Sequence, residues 1–338
     1  MIRWLAIDIG GANIKVADGQ GFASTTAFSL WREPARLADA LRAVLAGSPP
    51  ADHLAVTMTG ELADCFSTKA EGVHKILDAL SIAADRRHTR IYRADGTLVA
   101  PAIAIKTPEL TASANWHALA QFAGRFANRG PALVMDIGST TTDVIPLLDG
   151  KVTATVKGDT ERLIHGELVY TGVERSPLCA VISAAPWRGN QCPLAQEVFA
   201  TMLDVYLTLG EMPDDPASTR TADGRPATLE AARDRLARAI CADRTMFTAD
   251  DAAAMAEAAS RSQLAKIAVA AGQVTRRLPS APETVVISGR GEFLARRIVE
   301  RMCGTARVVS LGKELGPDVS ICGPAHALAV LSREGAAA

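Results

Sequence analysis

The stretch Ile7-Asp8-Ile9-Gly10-Gly11-Ala12-Asn13-Ile14-Lys15-Val16 lies near the start of the chain and returns later as Met135-Asp136-Ile137-Gly138-Ser139-Thr140-Thr141-Thr142-Asp143-Val144. Each copy is typical of an apolar strand that ends in a sharp Asp-x-Gly corner and continues as a second strand. A hairpin turn follows each copy, at Asp18-Gly19 and at Asp149-Gly150. Two distant copies of one such unit predict a duplicated domain, with one copy in each of two lobes.

The rest of the sequence alternates between helical and extended patterns, so we expect an α/β fold with a cleft between the lobes. Lobe I should cover residues 1–130 and lobe II residues 131–338, and a helix at 324–334 should pack back on lobe I. Apolar spacing predicts helices at 34–46, 68–84, 112–127, 193–209, 229–241 and 250–277. Strands are predicted at 54–58, 90–92, 98–105 and 285–288, and the tail 335–338 should fray. The polar segment 210–227 should be an ordered functional loop or an exposed excursion.

Composition limits the classes of function. The 338 residues are 48% apolar, which is enough for two cores. A net charge of −1 argues against nucleic acid or an anionic membrane as the main partner. No leader sequence is visible, and no apolar run approaches the roughly 20 residues of a membrane span. The six cysteines form no CxxC pair, which argues against a zinc or redox site and favours a reducing cytoplasm. We therefore expect a cytoplasmic protein with a small-molecule partner.

The two Asp-x-Gly corners carry the residues expected to bind phosphate. Glycine at such a corner lets consecutive backbone amides face an anion. Asp8 and Asp136 would hold Mg²⁺ that bridges to phosphate oxygens, because Mg²⁺ takes one or two carboxylates and keeps several waters. The alternative for either copy alone is an ordinary hairpin, and the duplication favours binding. The predicted phosphate-binding residues are Gly10, Gly11, Asn13, Lys15, Gly138, Ser139, Thr140, Thr141 and Thr142.

Lys15 and Asp143 occupy equivalent places, seven residues after Asp8 and Asp136. We expect Lys15 to face the phosphates as a point charge, and Asp143 to steer water at the metal or the leaving group. The alternative is that Lys15 lies on the solvated face of its strand.

Two carboxylates follow the predicted strand at 54–58. Glu61 and Asp64 would be general bases beside a phosphate loop, or acidic residues at a helix N-terminus, which the helix dipole also favours. Lys69 is more typical of a solvated helix position than of a phosphate contact.

Two later segments could complete the cleft. Gly289 and Gly291 follow a strand and would form the third wall of a nucleotide site, although a plain strand–helix turn explains them as well. Arg175 could clamp an acidic substrate through two parallel hydrogen bonds. A salt bridge within its loop is the alternative.

With both Asp-x-Gly corners, the glycine turn at 288–291 and the segment Gly323-Pro-Ala-His-Ala-Leu, the chain resembles the superfamily of actin, sugar kinases and heat-shock ATPases, whose fold is ribonuclease H-like. The segment 136–143 is similar to the second phosphate loop of its hydantoinase and oxoprolinase branch. Within that branch, segments 58–64, 170–177 and 221–226 resemble a short group linked to tetrahydromethanopterin-dependent one-carbon metabolism.

The resemblance implies a transferase of methanofuran biosynthesis. An aminomethylfuran-methyl diphosphate would be attacked by the phenol of a tyramine or tyrosine-type acceptor, so that an aryl ether forms and diphosphate leaves. The phosphate cradle would then hold the substrate's diphosphate with Mg²⁺. The first loop departs from the threonine-rich loop of hydantoinases, and the chain is far shorter than oxoprolinase. Alternatives are an ATP-dependent kinase or amidohydrolase and a non-catalytic nucleotide sensor, and a homodimer is the expected assembly.

Overall fold

The computed structural model describes residues 3–302 and 304–335, and its first sheet contains six strands. These are β1 (Trp4–Gly10), β2 (Asn13–Ala17), β3 (Ala23–Ala27), β4 (His53–Thr59), β5 (His88–Tyr92) and β6 (Leu98–Val99). They lie in the order β3-β2-β1-β4-β5-β6. The three strands β1, β4 and β5 are parallel, whereas β2, β3 and β6 run antiparallel to their neighbours.

The second sheet repeats the centre of the first. Its strands are β7 (Pro131–Ile137), β8 (Thr142–Leu148), β9 (Lys151–Val152), β10 (Leu168–Val169), β13 (Thr284–Ser288) and β14 (Arg307–Ser310). They lie in the order β10-β8-β7-β13-β14, and β9 pairs with β8. Strand β7 has an antiparallel hairpin partner on one side and a parallel strand on the other, as β1 has. A separate hairpin joins β11 (Ala184–Trp187) to β12 (Asn190–Pro193).

Helices cover both faces of each sheet. The first five are α1 (Leu37–Ala46), α2 (Lys69–Ala84), α3 (Pro101–Ala104), α4 (Pro108–Thr111) and α5 (Asn115–Ala123). The others are α6 (Asp159–His165), α7 (Leu178–Val181), α8 (Met202–Thr208), α9 (Leu229–Arg238), α10 (Ala249–Thr275), α11 (Glu292–Met302), α12 (Leu311–Leu315), α13 (Pro317–Ile321) and α14 (Gly323–Gly335). Because both faces are covered, the central strands are almost continuously apolar and buried.

Three large apolar cores follow from this layering, and a fourth, small cluster lies around Leu207. Helices α1 and α2 pack on the outer face of the first sheet, and α10 and α11 on the outer face of the second. Helices α5 and α14 lie between the sheets in a core that includes Ala6 of the first and Val134 of the second. Helix α14 contacts α5, β1, β2 and β4, so the C-terminal helix packs against the first sheet. We call the first sheet with α1–α5 lobe I and the second with α6–α13 lobe II; the division at residue 130 stays a prediction.

Two predicted elements are wrong. The helix predicted at 193–209 begins only at Met202, because Leu194 and Ala200 enter the lobe II core from extended backbone that bonds to Ala239 and Leu178. The strand predicted at 98–105 ends at Val99, and Pro101 starts a short helix, since its fixed φ suits a first helical turn.

Within the described residues, none of the helices is both long and apolar enough to span a bilayer. The described cysteines are free thiols, and Cys303 lies outside the described residues. The frayed tail predicted from residue 335 falls partly outside them too, and Gly335 itself ends α14.

Candidate active site

A cleft of about 430 Å³ opens where the two Asp-x-Gly corners meet. It forms because β1 and β7 each end at this point, where the chain turns into β2 and β8. The structure therefore brings the two sequence copies to opposite walls of one cavity. The copy residues that line it are Asp8, Gly10, Gly11, Ala12, Asn13, Lys15, Asp136, Gly138, Ser139, Thr140, Thr141 and Asp143.

The two corners are built alike but braced differently. A Cβ on Gly10 would lie 2.9 Å from the carbonyl oxygen of Asn13, so only glycine fits this corner. The amide of Gly138 donates to the carbonyl of Thr141 at 2.9 Å. In lobe II a second loop supports the corner: a Cβ on Gly172 would lie 2.5 Å from the backbone nitrogen of Thr140. The second loop therefore packs directly against the second corner.

The two corner aspartates have unpartnered oxygens. Asp8 is 4% exposed, and Asn115 donates to its Oδ2 at 3.4 Å. Within the described part of the chain, Oδ1 of Asp8 and Oδ1 of Asp136 are buried without a hydrogen-bond partner. Burial raises the pKa of Asp8, and the positive charge of Lys15 opposes this. Burial raises the pKa of Asp136 to about 7, again against Lys15 and with the charges of Asp143 and Asp8 raising it further.

This pair of carboxylates fits Mg²⁺. A cation bound between two desolvated aspartates, one from each lobe, stabilises their ionised forms. Mg²⁺ needs only one or two protein carboxylates when substrate phosphates and waters complete its shell. Residues 3–302 and 304–335 hold no group of three or more His, Cys, Asp or Glu side chains placed to bind a metal. With waters and substrate oxygens as the remaining ligands, Asp8 and Asp136 are the residues that would hold the ion.

Asp143 is tied to a buried arginine that the sequence did not reveal. Arg162 donates to Asp143 Oδ1 at 2.6 Å and to the carbonyl of Glu167 at 3.0 Å. Its guanidinium lies 4.2 Å from the ring centroid of Trp116 in α5. Asp143 thus lines the cleft with a fixed orientation, and its predicted role towards water or the leaving group stays a proposal.

The two predicted bases have different surroundings. Asp64 is exposed and lines the cleft. Glu61 is fully buried behind Ser113, whose Oγ lies 2.7 Å from Glu61 Oε1. Burial raises the pKa of Glu61 to about 7, although the hydrogen bond with Ser113 lowers it. Glycine at position 72 permits this burial, because a Cβ there would lie 2.2 Å from the Glu61 carbonyl oxygen.

A further carboxylate, Asp159, faces Glu61 from lobe II. Its Oδ2 lies 2.8 Å from Ser113 Oγ and 2.8 Å from Lys69 Nζ. Lys69 is therefore an ion-pair partner across the cleft and not a simply solvated residue. Sequence patterns could not reveal the group, because Ser113 is 52 residues from Glu61 and 46 from Asp159.

Aromatic and cationic side chains also line the cleft. The guanidinium of Arg175 lies 4.7 Å from the ring centroid of Trp31, and both residues line the cleft with Tyr170. The amides of Glu174 and Arg175 donate to the carbonyl of Ser139, at 3.1 and 2.9 Å. Arg175 is thereby fixed relative to the second corner. Its contact with Trp31 replaces the loop salt bridge considered as its alternative, and Trp31 itself was not predicted.

Three predicted binding residues lie outside the cleft. Thr142 is fully buried, and its hydroxyl donates to the carbonyl of Thr171 at 2.8 Å, because alternation along β8 turns it away from Thr141. Gly289 and Gly291 pack against the end of β7: a Cβ on Gly289 would lie 2.5 Å from the carbonyl oxygen of Ile137. These glycines allow close packing under the second corner and do not line the cavity.

The predicted loop at 210–227 is ordered and reaches lobe I. Arg220 donates to Asn13 Oδ1 at 2.8 Å and so bridges to the first corner. Asp223 anchors the loop, since it accepts from the buried Arg235 at 3.1 Å and from Arg238 at 3.1 Å. The segment 221–226, which is similar to the one-carbon group in sequence, thus fixes the loop to lobe II through Asp223, and the adjacent Arg220 joins it to lobe I.

Comparisons with known proteins agree with this architecture. The chain is 32% identical over 333 residues, 98% of its length and 97% of the relative's, to "(4-{4-[2-(gamma-L-glutamylamino)ethyl]phenoxymethyl}furan-2-yl)methanamine synthase" of Methanocaldococcus jannaschii. It is 28% identical over 201 residues, 59% of its length and 89% of the relative's, to the Methanococcus vannielii protein of the same name. Among solved structures, a chain of the PilM–PilN type IV pilus biogenesis complex is 12% identical with a TM-score of 0.51, and the match covers 97% of this chain and 99% of that one.

The last likeness concerns the fold alone, and with the repeated sheets it confirms the predicted two-lobed, actin-like α/β fold. A family model described as hydantoinase/oxoprolinase matches residues 52–315, which include the second corner and the loop that supports it. The chain therefore belongs to the hydantoinase/oxoprolinase family.

Proposed function

We propose that the protein joins an aminomethylfuran-methyl diphosphate to the phenol of a tyramine-type acceptor and releases diphosphate, in the biosynthesis of methanofuran. The observation that carries this proposal is the full-length similarity to a synthase whose name specifies a phenoxymethyl-furan product. That product contains the aryl ether bond which the proposed reaction forms, and its γ-glutamylaminoethyl group identifies the acceptor as γ-glutamyltyramine.

The cleft suits a diphosphate leaving group. A furfuryl carbon–oxygen bond ionises readily because the furan ring stabilises the cation, so the protein's main task is to stabilise the departing anion. The Thr140 and Thr141 hydroxyls, Lys15 and backbone amides of the two corners other than that of Gly138 can supply donors and positive charge from both walls. Mg²⁺ between Asp8 and Asp136 would neutralise charge on the diphosphate.

The part of the cleft around Arg175 suits the acceptor. Arg175 can bind the carboxylate of the glutamyl group, and Trp31 beneath it offers a flat apolar surface. A carboxylate base near the phenol would raise its nucleophilicity. The hydrogen bond from Arg220 to Asn13 joins the loop at 210–227 to the first corner, and a closer approach of this loop to bound substrate would help to exclude water from the reactive cation.

An ATP-dependent kinase or amidohydrolase is the second candidate, and the family's description as hydantoinase/oxoprolinase favours the amidohydrolase of the two. In that case ATP would take the phosphate cradle in place of the diphosphate substrate. The placement of Gly289 and Gly291 away from the cavity does not support a nucleoside wall there. A cytoplasmic location, a homodimer and the absence of nucleic-acid or membrane partners also stay predictions.

Incubation of the purified protein with the furan diphosphate, γ-glutamyltyramine and Mg²⁺ tests the proposal. Mass spectrometry should find the aryl ether and an equal amount of diphosphate, with no need for ATP. A ligand that binds only the native state stabilises it, and the gain grows with the ratio of its free concentration to Kd. Diphosphate with Mg²⁺ should therefore raise Tm. A rise of Tm with ATP alone, and no ether, would instead support the kinase or amidohydrolase.

A further inference from the structure

One hydroxyl, that of Ser113, lies between two carboxyl groups. Its Oγ is 2.7 Å from Glu61 Oε1 and 2.8 Å from Asp159 Oδ2. A serine hydroxyl carries a single proton and can donate to only one acceptor. If both carboxyl groups were ionised, one of these short contacts would join two oxygens with no proton between them. One of the two carboxyl groups therefore carries a proton and donates to Ser113.

The surroundings identify which group is protonated. Glu61 is fully buried and has no cation in hydrogen-bond contact within the described residues. Asp159 lies at the cleft and accepts from Lys69 Nζ at 2.8 Å. Beyond it, Arg162 and Asp143 form their own ion pair. Glu61 therefore donates to Ser113, and Ser113 donates to Asp159 Oδ2.

Burial raises the pKa of Glu61 to about 7 against the hydrogen bond with Ser113, which lowers it, so Glu61 keeps a proton below neutral pH. The backbone of Ser113 supports this order of donors as well. Ser113 has φ of +48°, in the left-handed region that non-glycine residues seldom occupy. Strain of this kind persists where the surrounding structure demands it, and here it sets the hydroxyl between the two carboxyl groups.

We propose that Asp159 is the general base that removes the phenolic proton of the acceptor, and that Glu61 and Ser113 are positioning residues that orient its carboxyl group through the chain of hydrogen bonds Glu61–Ser113–Asp159. The proposal rests on the proposed function. Both hydrogen bonds of the Asp159 side chain within the described residues involve Oδ2, which leaves Oδ1 for the substrate. Asp159, and neither Glu61 nor Asp64, is then the base.

The step balances as follows. The phenolic O–H bond breaks and its proton moves to Oδ1 of Asp159. The phenol oxygen uses its electron pair to form a bond to the furfuryl methylene carbon. The bond from that carbon to the diphosphate oxygen breaks, and its electron pair leaves with diphosphate. Asp159 returns its proton to water when the products leave.

The test uses the full-length protein, the furan diphosphate and two acceptors: γ-glutamyltyramine and a ring-fluorinated analogue with a more acidic phenol. Asp159→Asn should lower turnover of γ-glutamyltyramine about 100-fold or more, as for other general bases. With the fluorinated acceptor the loss should shrink to below about tenfold, because that phenol needs less help from a base. Glu161→Gln, on the same helix and exposed, is the matched control and should match the wild type.

Glu61 is tested by comparing two substitutions. Glu61→Ala removes the proton donor and should lower turnover roughly tenfold. Glu61→Gln restores a donor in its amide and should recover most of that loss. The wild-type rate should fall as pH rises through about 7, where Glu61 loses its proton, and Glu61→Gln should lack this fall. The melting temperature of each variant shows whether it is folded. If Glu61→Ala does not fold, Ser113→Ala takes its place as the variant that breaks the hydrogen bonds to Asp159.

The outcomes separate the two proposals. If the wild type makes no ether, the proposed function itself is wrong. If the wild type makes ether and Asp159→Asn loses turnover equally with both acceptors, or not at all, Asp159 is not the base. If Glu61→Gln is as inactive as Glu61→Ala while Asp159→Asn is active, Glu61 is the base and the order of donors inferred here is reversed.

Discussion

Lys15 and Asp8 stand directly opposite each other in the antiparallel β1–β2 ladder, and both line the cleft. The equivalent pair in lobe II is Asp143 opposite Asp136. The duplicated hairpins thus place an ammonium and a carboxylate at matching positions. This cluster carries three carboxylates, Lys15 and the Arg162 that pairs with Asp143, so a net negative charge remains and favours an added cation.

Lys15→Ala tests the point charge in this cluster. A single electrostatic donor to a departing anion is worth about 2.7–4 kcal/mol in the transition state, so turnover should fall by about 100- to 1000-fold. Lys15→Arg should restore only part of it, because the guanidinium is larger and planar. Steady-state kinetics with the furan diphosphate gives the measurement. A loss below about threefold, or roughly 0.7 kcal/mol, would show that Lys15 is not a phosphate contact.

Asp8→Asn and Asp136→Asn should each remove most turnover, by about 100-fold or more, and leave the protein folded. The amide keeps the shape of the carboxylate and loses the charge that would hold Mg²⁺. Turnover at rising Mg²⁺ concentrations and Tm should be measured together. Asp39→Asn on the exposed side of α1 is the control. Normal turnover in either cleft variant would exclude that aspartate from the metal site.

Stability of the metal-free protein should depend on pH through Asp136. Its pKa is about 7 in the folded state, above the ordinary value of 3.8. The folded state then binds the proton more tightly than the unfolded chain, so Tm should rise as pH falls from about 8 to about 5.

Asp136→Asn should reduce this slope, because the amide does not titrate. Buried Glu61 and Asp204 also have raised pKa values and contribute to the wild-type slope, so the difference between the two proteins is the measure. Thermal unfolding of both proteins in EDTA at several pH values measures this difference in the slope of Tm against pH. Equal slopes in both proteins would mean that the Asp136 pKa is not raised.

Thr141 and Thr142 form a matched pair for the second corner. Thr141→Val should weaken binding of Mg²⁺–diphosphate about fivefold, roughly 1 kcal/mol for one lost donor. Thr142→Val should leave that affinity intact and lower the free energy of unfolding by about 1–2 kcal/mol, because the Thr171 carbonyl loses its buried donor. Titration calorimetry and denaturant unfolding measure the two effects. Reversed effects would place Thr142, and not Thr141, at the phosphate.

The sequence by itself determined the two hairpins and hence the fold. An apolar strand that ends in Asp-x-Gly is a local pattern, since the strand alternation, the corner and the facing residue are all set within ten positions. For the same reason the opposition of Lys15 to Asp8 and of Asp143 to Asp136 could be predicted from spacing. Thr142 was placed wrongly because the local pattern does not show where the strand begins and its side chain turns inward.

Only the tertiary structure decided the groups built from distant segments. Three contacts join parts of the chain that no local sequence pattern links. They are Arg162 with Asp143, Trp31 with Arg175, and Arg220 with Asn13. The group of Glu61, Ser113 and Asp159 depends on the two lobes facing each other across the cleft. Burial also decides protonation. Glu61 and Asp64 look alike in sequence, but Glu61 is buried behind Ser113 and Asp64 is exposed. Only the fold could therefore separate their roles.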